Sequence, residues 1–176
     1  TTIVQGITGP GALTVDGPGN LILTGANTYA GGTTINAGAR VQLGAGGTSG
    51  SITGNVLNNG TLAFSRSDVA IFAGVISGSG AVRQEGTGTT ILSGANTYSG
   101  PTAVNAGVLQ AGATNAFSPS SAVTVAAGAL TAAALPATAA AGPPVRFVPC
   151  NVIAGPNGLL AAITAANAAG SGTIKL

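Results

Sequence analysis

The chain has 176 residues, 30 of them glycine, with 3% aromatic and 5% charged residues and a formal charge of +2. Ordinary domains carry about a quarter charged residues, so a conventional charged surface is excluded, and exposed polarity has to come from Thr, Ser, Asn and the backbone. Five scattered cations (Arg40, Arg66, Arg83, Arg146 and Lys175) form no phosphate-tracking stripe, which excludes nucleic acid as a partner.

Short apolar runs follow one another along the chain. Strands are predicted over residues 12–15, 21–23, 33–35, 41–43, 56–57, 61–64, 69–72, 81–84, 89–92, 108–110 and 123–125. Several alternate apolar with polar residues, the period-two pattern of a half-buried strand. All are shorter than the usual strand of about five or six residues. Gly-Pro-Gly, Asn-Ala-Gly, Asn-Asn-Gly and Gly-Ser-Gly clusters lie between them and supply tight corners. Past residue 130 the text turns Ala-rich, with Pro136, Pro143 and Pro144, and reads as a linker over 131–149. Pro136 and the weak apolarity of Ala argue against a membrane helix there. Leu159, Leu160, Ile163 and Ala166 then share one helical face ending at Gly170, and residues 173–176 read as a strand.

Residues 7–38 align without gaps onto 76–107, with 18 identities in 32 positions and an offset of 69. A fixed period of this kind is the mark of a solenoid. Short strands joined by Gly-rich corners predict an all-β chain wound as a parallel β-helix. With coils of about 20–25 residues, 69 residues make roughly three coils. Residues 1–130 would make about six, stacked over about 29 Å at a strand spacing of about 4.8 Å. Asn27, Asn36, Asn96 and Asn105 are then expected to form corner ladders bonded along the axis. The two copies slip once: Gly38 to Gly44 spans six residues and Gly107 to Gly112 five. A longer corner near Ala39-Arg40 is expected to absorb the extra residue, since otherwise every side chain beyond it would change face.

Groups able to do chemistry are scarce. Without His there is no Ser–His or Cys–His nucleophile pair and no imidazole metal site. Cys150 is the only cysteine and reads as a structural thiol outside any disulfide framework. Asp16, Asp68 and Glu85 are the only acids. Asp16 and Glu85 hold equivalent repeat positions, about three coils or roughly 14 Å apart, too far for a glycosidase pair, which needs about 5–10 Å. Asp68 and Glu85, on neighbouring coils, are a weaker carboxylate candidate. Tyr29 and Tyr98 hold one repeat position and are expected to pack over the adjoining coil with the hydroxyl at the rim. Arg40, Arg66 and Arg83 read as solvated side chains. Residues 44–50 lack the Lys-Ser/Thr ending and following helix of a nucleotide loop. Thr33-Thr34 and Thr89-Thr90 hint at ligand-binding rows but do not recur on every coil. No catalytic, cofactor-binding or metal residue is therefore assigned.

The strings LTGANTYAGGTTINAG and LSGANTYSGPTAVNAG, from Leu23 and Leu92 onward, resemble the passenger-associated repeat of bacterial autotransporters. The resemblance covers roughly residues 1–130. It implies a right-handed β-helix displayed outside a Gram-negative cell, a non-enzymatic stalk that aids passenger folding and adhesion, and a C-terminal translocator barrel in the parent protein. The alternating ten-residue strands of such a barrel are absent from this sequence. Residues 150–176 resemble the entry segment of secreted parallel β-helix proteins, whose short amphipathic helix caps the first coil. The expected organisation is thus a 1–130 solenoid of two tandem repeats, a 131–149 linker, and a 150–176 cap-like helix and strand, the possible start of a second solenoid. Expected partners are the translocator barrel, a host-surface or glycan ligand, and a second copy meeting this one end to end. The alternative function is a carbohydrate-binding or polysaccharide-degrading β-helix protein, a reading that rests on fold analogy alone.

Overall fold

A three- or four-residue strand buries too little to stand alone, so strands this short persist only by stacking on equivalents one coil away. The computed structural model describes residues 2, 3 and 6–132, and shows such a stack. Nearly all of the predicted linker, Cys150 and the predicted helix and strand over 150–176 lie outside the described residues.

In chain order the strands are β1 (Thr2–Ile3), β2 (Leu13–Val15), β3 (Asn20–Leu23), β4 (Thr33–Ile35), β5 (Arg40–Leu43), β6 (Val56–Asn58), β7 (Thr61–Phe64) and β8 (Val69–Phe72). They continue as β9 (Ile76–Ser77), β10 (Ala81–Gln84), β11 (Thr89–Leu92), β12 (Thr102–Val104), β13 (Val108–Ala111), β14 (Val123–Val125) and β15 (Leu130–Ala132). The described residues contain no helix. Four strands were not foreseen, namely β1, β9, β12 and β15, and the last occupies the start of the predicted linker.

The strands form three sheets, each one face of a coil. The first face stacks β1-β3-β5-β7-β10-β12-β14, the second β8-β11-β13-β15, and the third β2-β4-β6-β9. Every pairing is parallel. From β7 the chain visits the first, second and third faces and returns to the first at β10. The column Thr2, Ile22, Gln42, Ala63, Arg83, Ala103 and Thr124 on the first face rises one coil every 20 or 21 residues, which gives a β-solenoid of about six turns.

That coil length revises the expected meaning of the repeat. Ile22 reaches Arg83 after three full turns and 61 residues. Its repeat mate Ile91 lies eight residues further on, on the second face. The 69-residue unit is therefore three and one third turns, and the second copy is turned forward by one face. The mates β2 and β10 lie on the third and first faces, β3 and β11 on the first and second, and β4 and β12 on the third and first.

Within each coil alternate side chains point inward. Leu23, Val41, Leu43, Leu62, Phe64, Val82, Leu92 and Leu109 fill the interior, and each such side chain contributes about 1.5–3 kcal/mol when fully buried. Phe64 and Phe72 meet with ring centres 5.7 Å apart and planes inclined by 60°, a tilted arrangement that joins the first and second faces. The extra residue of the first copy sits where expected. Ala39 is buried and its N–H donates to Asn36 O, so β5 begins two residues after Gly38 whereas β13 begins one after Gly107. Both glycines take positive φ, 82° and 60°, which a side chain would oppose. Val123 and Val125 occupy inward positions of β14 but stay 43% and 46% exposed, because no further described coil stacks on them.

Candidate functional site

The most conserved string between the two copies, Gly-Ala-Asn-Thr-Tyr, forms none of the strands. In the first copy it crosses the second face between β3 and β4; in the second it crosses the third face between β11 and β12. Where it runs, the backbone makes only part of a ladder, and a side chain supplies the rest.

Asn27 is fully buried. Its Oδ1 accepts from Ile7 N at 2.9 Å on the preceding coil, and its Nδ2 donates to Ser51 O at 2.8 Å on the following coil and to Gly25 O at 2.9 Å. Asn96, 1% exposed, repeats the device. Its Oδ1 accepts from Ile76 N at 2.7 Å and its Nδ2 donates to Ala116 O at 2.5 Å. A carboxamide carries the same donor and acceptor as a peptide group, so one side chain bonds both ways along the axis. Axial bonding is made by Asn27, Asn96 and Asn36, but not as a ladder of like residues. Asn27 and Asn96 lie on different faces, Asn36 donates to Asp16 Oδ1 one coil back, and Asn105 is exposed.

Two residues beyond each Asn the chain turns a tyrosine inward. Tyr29 and Tyr98 are buried and their hydroxyls meet Thr33 Oγ1 and Thr102 Oγ1 at 2.6 and 2.7 Å. The hydroxyl is thus inside the coil and not at its rim, because a threonine four residues on provides a partner. Burial raises both phenol pKa values, an effect that the Thr hydrogen bonds partly offset. The buried rings are closed to sugar stacking. Thr102 continues to Ser121 Oγ at 2.8 Å, and Ser121 donates to Gly100 O at 2.8 Å. Gly94, beside Asn96, is required by packing, since a Cβ there would stand 2.3 Å from Gly74 O one coil below.

The charged candidates are engaged with one another. Arg40 makes a two-pronged bond to Glu85, at 3.1 and 2.5 Å, and also donates to Gln42 Oε1. This pair crosses β7, where Ala63 is completely buried although it takes the outward position between Gln42 and Arg83. Arg66 binds both oxygens of Asp68 at 2.9 and 2.7 Å and donates to Gly50 O and Thr48 O. The hydrogen bond and charge of Arg66 hold the Asp68 carboxyl below its usual pKa. Asp68 and Glu85 are each bound by their own arginine and form no open pair, while Arg83 stands exposed. Residues 44–50 form an arm fastened to the next coil by Arg66 and by Gly46 N–H to Ser65 O. Thr33 and Thr90 point inward, so neither starts an outward threonine row. Among the described residues no three His, Cys, Asp or Glu side chains gather into a metal site. The Arg40–Glu85 pair escaped sequence reasoning because 45 residues separate its members, whereas the Arg66-x-Asp68 spacing was a local signal that could have revealed the second. The Tyr–Thr pair was signalled by the shared Tyr-x-x-x-Thr spacing.

Residues 13–39 and 82–111 match the passenger-associated-transport-repeat family. The chain is also 54% identical over 52 residues to an adhesin autotransporter, BmaC, of Brucella suis biovar 1 (strain 1330), a match spanning 30% of this chain and 2% of that protein. No solved structure matches the chain. Both family matches take in a strandless crossing or its flanking strands, and with the doubled Asn and Tyr devices they show that this chain carries two copies of the autotransporter passenger-associated repeat.

Proposed function

We propose that the chain is a non-enzymatic stalk segment of the passenger region of a surface-displayed autotransporter. The observation that carries this reading is that both repeat copies spend their distinctive polar residues, Asn27 with Tyr29 and Asn96 with Tyr98, on bonds within and between coils. A motif turned inward builds a stack; it presents nothing to a substrate. In this reading the parent protein carries a C-terminal translocator barrel, the passenger reaches the outside of a Gram-negative cell, and each new coil is stapled to the last as it emerges. Coils connected by parallel crossovers are right-handed in nearly all known cases, which supports a right-handed winding. The 1–130 solenoid, 131–149 linker and 150–176 cap remain the organisation we propose, with end-to-end association as the further partner contact. Adhesion to a host-surface or glycan ligand belongs to the same reading, through a more distal part of the parent. Polysaccharide degradation is not favoured, since the acids are held by Arg40, Arg66 and Asn36.

The test is display of the chain fused to a translocator barrel, read by accessibility to external protease. Wild type is expected at the surface, and the double variant Asn27→Ala, Asn96→Ala at a reduced level. Equal display of both, or of a fusion lacking residues 20–45, would sink the folding role.

A further inference from the structure

An Asn-Gly step is the peptide sequence most prone to deamidation, because glycine has no side chain to hinder attack of its amide nitrogen on the preceding carboxamide. The described residues contain one, Asn59-Gly60, at the corner between β6 and β7. The fold requires both members. A Cβ on Gly60 would stand 2.2 Å from Ala39 O and 2.6 Å from Asn36 O. Asn59 Oδ1 accepts from Ser79 N at 3.2 Å and from Ser79 Oγ at 3.3 Å on the next coil. The corner is therefore built from a pair that is chemically labile once released.

Hydrogen bonds engage both reacting groups in the folded chain. Gly60 N, the nucleophile, donates to Asn58 Oδ1 at 3.2 Å. Asn58 is itself fully buried and anchored by its Nδ2 to Ala81 O at 2.9 Å. Asn59 Cγ, the electrophile, belongs to a carboxamide fastened to Ser79, and Asn59 N donates to Ile35 O at 2.7 Å on the coil before. Three coils thus fix the corner.

We propose that Asn59 is a modification site masked by coil stacking, which converts irreversibly only when this corner opens. On opening, Gly60 N gives its proton to solvent base and bonds to Asn59 Cγ. Nδ2 takes a proton from solvent, the Cγ–Nδ2 bond breaks and ammonia leaves, and water then opens the succinimide to aspartate or isoaspartate. Aspartate keeps an acceptor for Ser79. Isoaspartate inserts an extra carbon into the main chain between β6 and β7, so the corner can no longer hold Val56 and Thr61 in register with their neighbours. Time spent unstacked is thereby recorded as coils that do not reform.

The experiment incubates the full chain in mildly alkaline buffer with and without urea and follows the tryptic peptide 41–66 for the mass gain of amide-to-acid conversion at Asn59. The native chain is expected to react at least about tenfold more slowly, since reaction then waits on local opening. Asn58→Ala, where circular dichroism shows it folded, frees Gly60 N and should speed the native reaction, whereas Ser79→Ala keeps the backbone N–H that binds Asn59 Oδ1 and should change it less. Gly60→Ala in urea should slow it sharply. Equal rates with and without urea, or a folded Asn58→Ala that reacts no faster than wild type, would overturn the proposal.

Discussion

The two copies of the repeat differ in surroundings more than in sequence. The first lies near the N-terminal end of the described stack, and its crossing is followed by the glycine-rich arm over residues 44–50, so that the coil partner of Asn27, Ser51, lies 24 residues on. The second lies inside the stack, where Asn96 finds Ile76 and Ala116 each 20 residues away and Gly94 and Gly100 are buried. The copies even occupy different faces. Asn nevertheless bonds to the coils on both sides, and Tyr to the Thr four residues on, in both. The motif therefore encodes how one coil is fastened to its neighbours and leaves open which face does it. A repeat of three and one third turns distributes the strandless crossings around the axis, so no single face accumulates them.

That equivalence is tested most severely in the core. Leu23 and Leu92 are repeat mates, both fully buried, and replacing either with Ala is expected to cost about 2–5 kcal/mol. The two losses should agree to within about 1 kcal/mol, because stability in a solenoid sums over coils and their interfaces. Urea unfolding followed by hydrogen exchange would measure both; a loss at Leu23 less than half that at Leu92 would show that the first copy is not an equivalent structural unit.

The next effect separates the copies. Asn96→Ala leaves Ile76 N and Ala116 O without their side-chain partner in a closed interior, and an orphaned buried group costs about 1–3 kcal/mol. Asn27→Ala removes the same bonds nearer the end of the stack, where water can replace them, and should cost less. Exchange of the Ile76 and Ile7 amides reports each case locally. If Asn27→Ala proved the more damaging, the glycine-rich arm would be held in place by Asn27 and not by Arg66.

Much of this was legible in the sequence, for definite physical reasons. The strands over 33–35, 61–64, 69–72, 81–84, 89–92 and 123–125 fall where short apolar runs between turn residues mark them. The extra residue at Ala39 was visible as a glycine spacing. The turn between copies was not, because a period of 69 divides into three coils of 23 as readily as into three and one third of 20 or 21. Only strand register decides between them. β9 was missed because two residues carry no periodicity, and β12 although its mate β4 was recognised, since Ala103 and the preceding Pro101 weaken the pattern. Arg40 looked like a solvated charge because its partner lies two coils away, and Arg66 because its bonds to the arm go to backbone carbonyls, although Asp68 two residues on was a local signal.

The tyrosines reverse the order expected for the asparagines. Tyr98→Phe leaves Thr102 still bonded to Ser121, whereas Tyr29→Phe removes the one side-chain partner shown for the buried Thr33 hydroxyl. Each change should cost about 1 kcal/mol or less, with Tyr29→Phe the larger. Alkali gives an independent reading. Burial raises both phenol pKa values in the folded chain, so above pH about 10 the unfolded chain ionises first and binds fewer protons. Stability should hold below that pH and fall as pH rises through the folded values, and each Phe variant should flatten the fall. An alkaline limb unchanged in the double Phe variant would mean that the rings are not closed off from solvent.

The smallest effect concerns the arm that distinguishes the surroundings of the first copy. Arg66 holds the arm through Thr48 O and Gly50 O while its other edge binds Asp68, and this contact lowers the Asp68 pKa in the folded chain. The stabilisation is therefore present above the ordinary aspartate range and is lost as pH falls through the depressed folded value, where the unfolded chain has already taken up its proton. Because the carboxylate faces solvent, the pair contributes little to global stability. Its effect should appear locally, as lower amide protection, measured against the intrinsic exchange rate at each pH, over residues 44–50 in acid. Asp68→Asn should show that lower protection already at neutral pH and lose the acid dependence. An arm equally protected in both chains at every pH would place its anchoring in the Gly46–Ser65 and Ser67–Gly47 backbone bonds alone, and the difference between the two copies would then reside in main-chain path and owe nothing to charge.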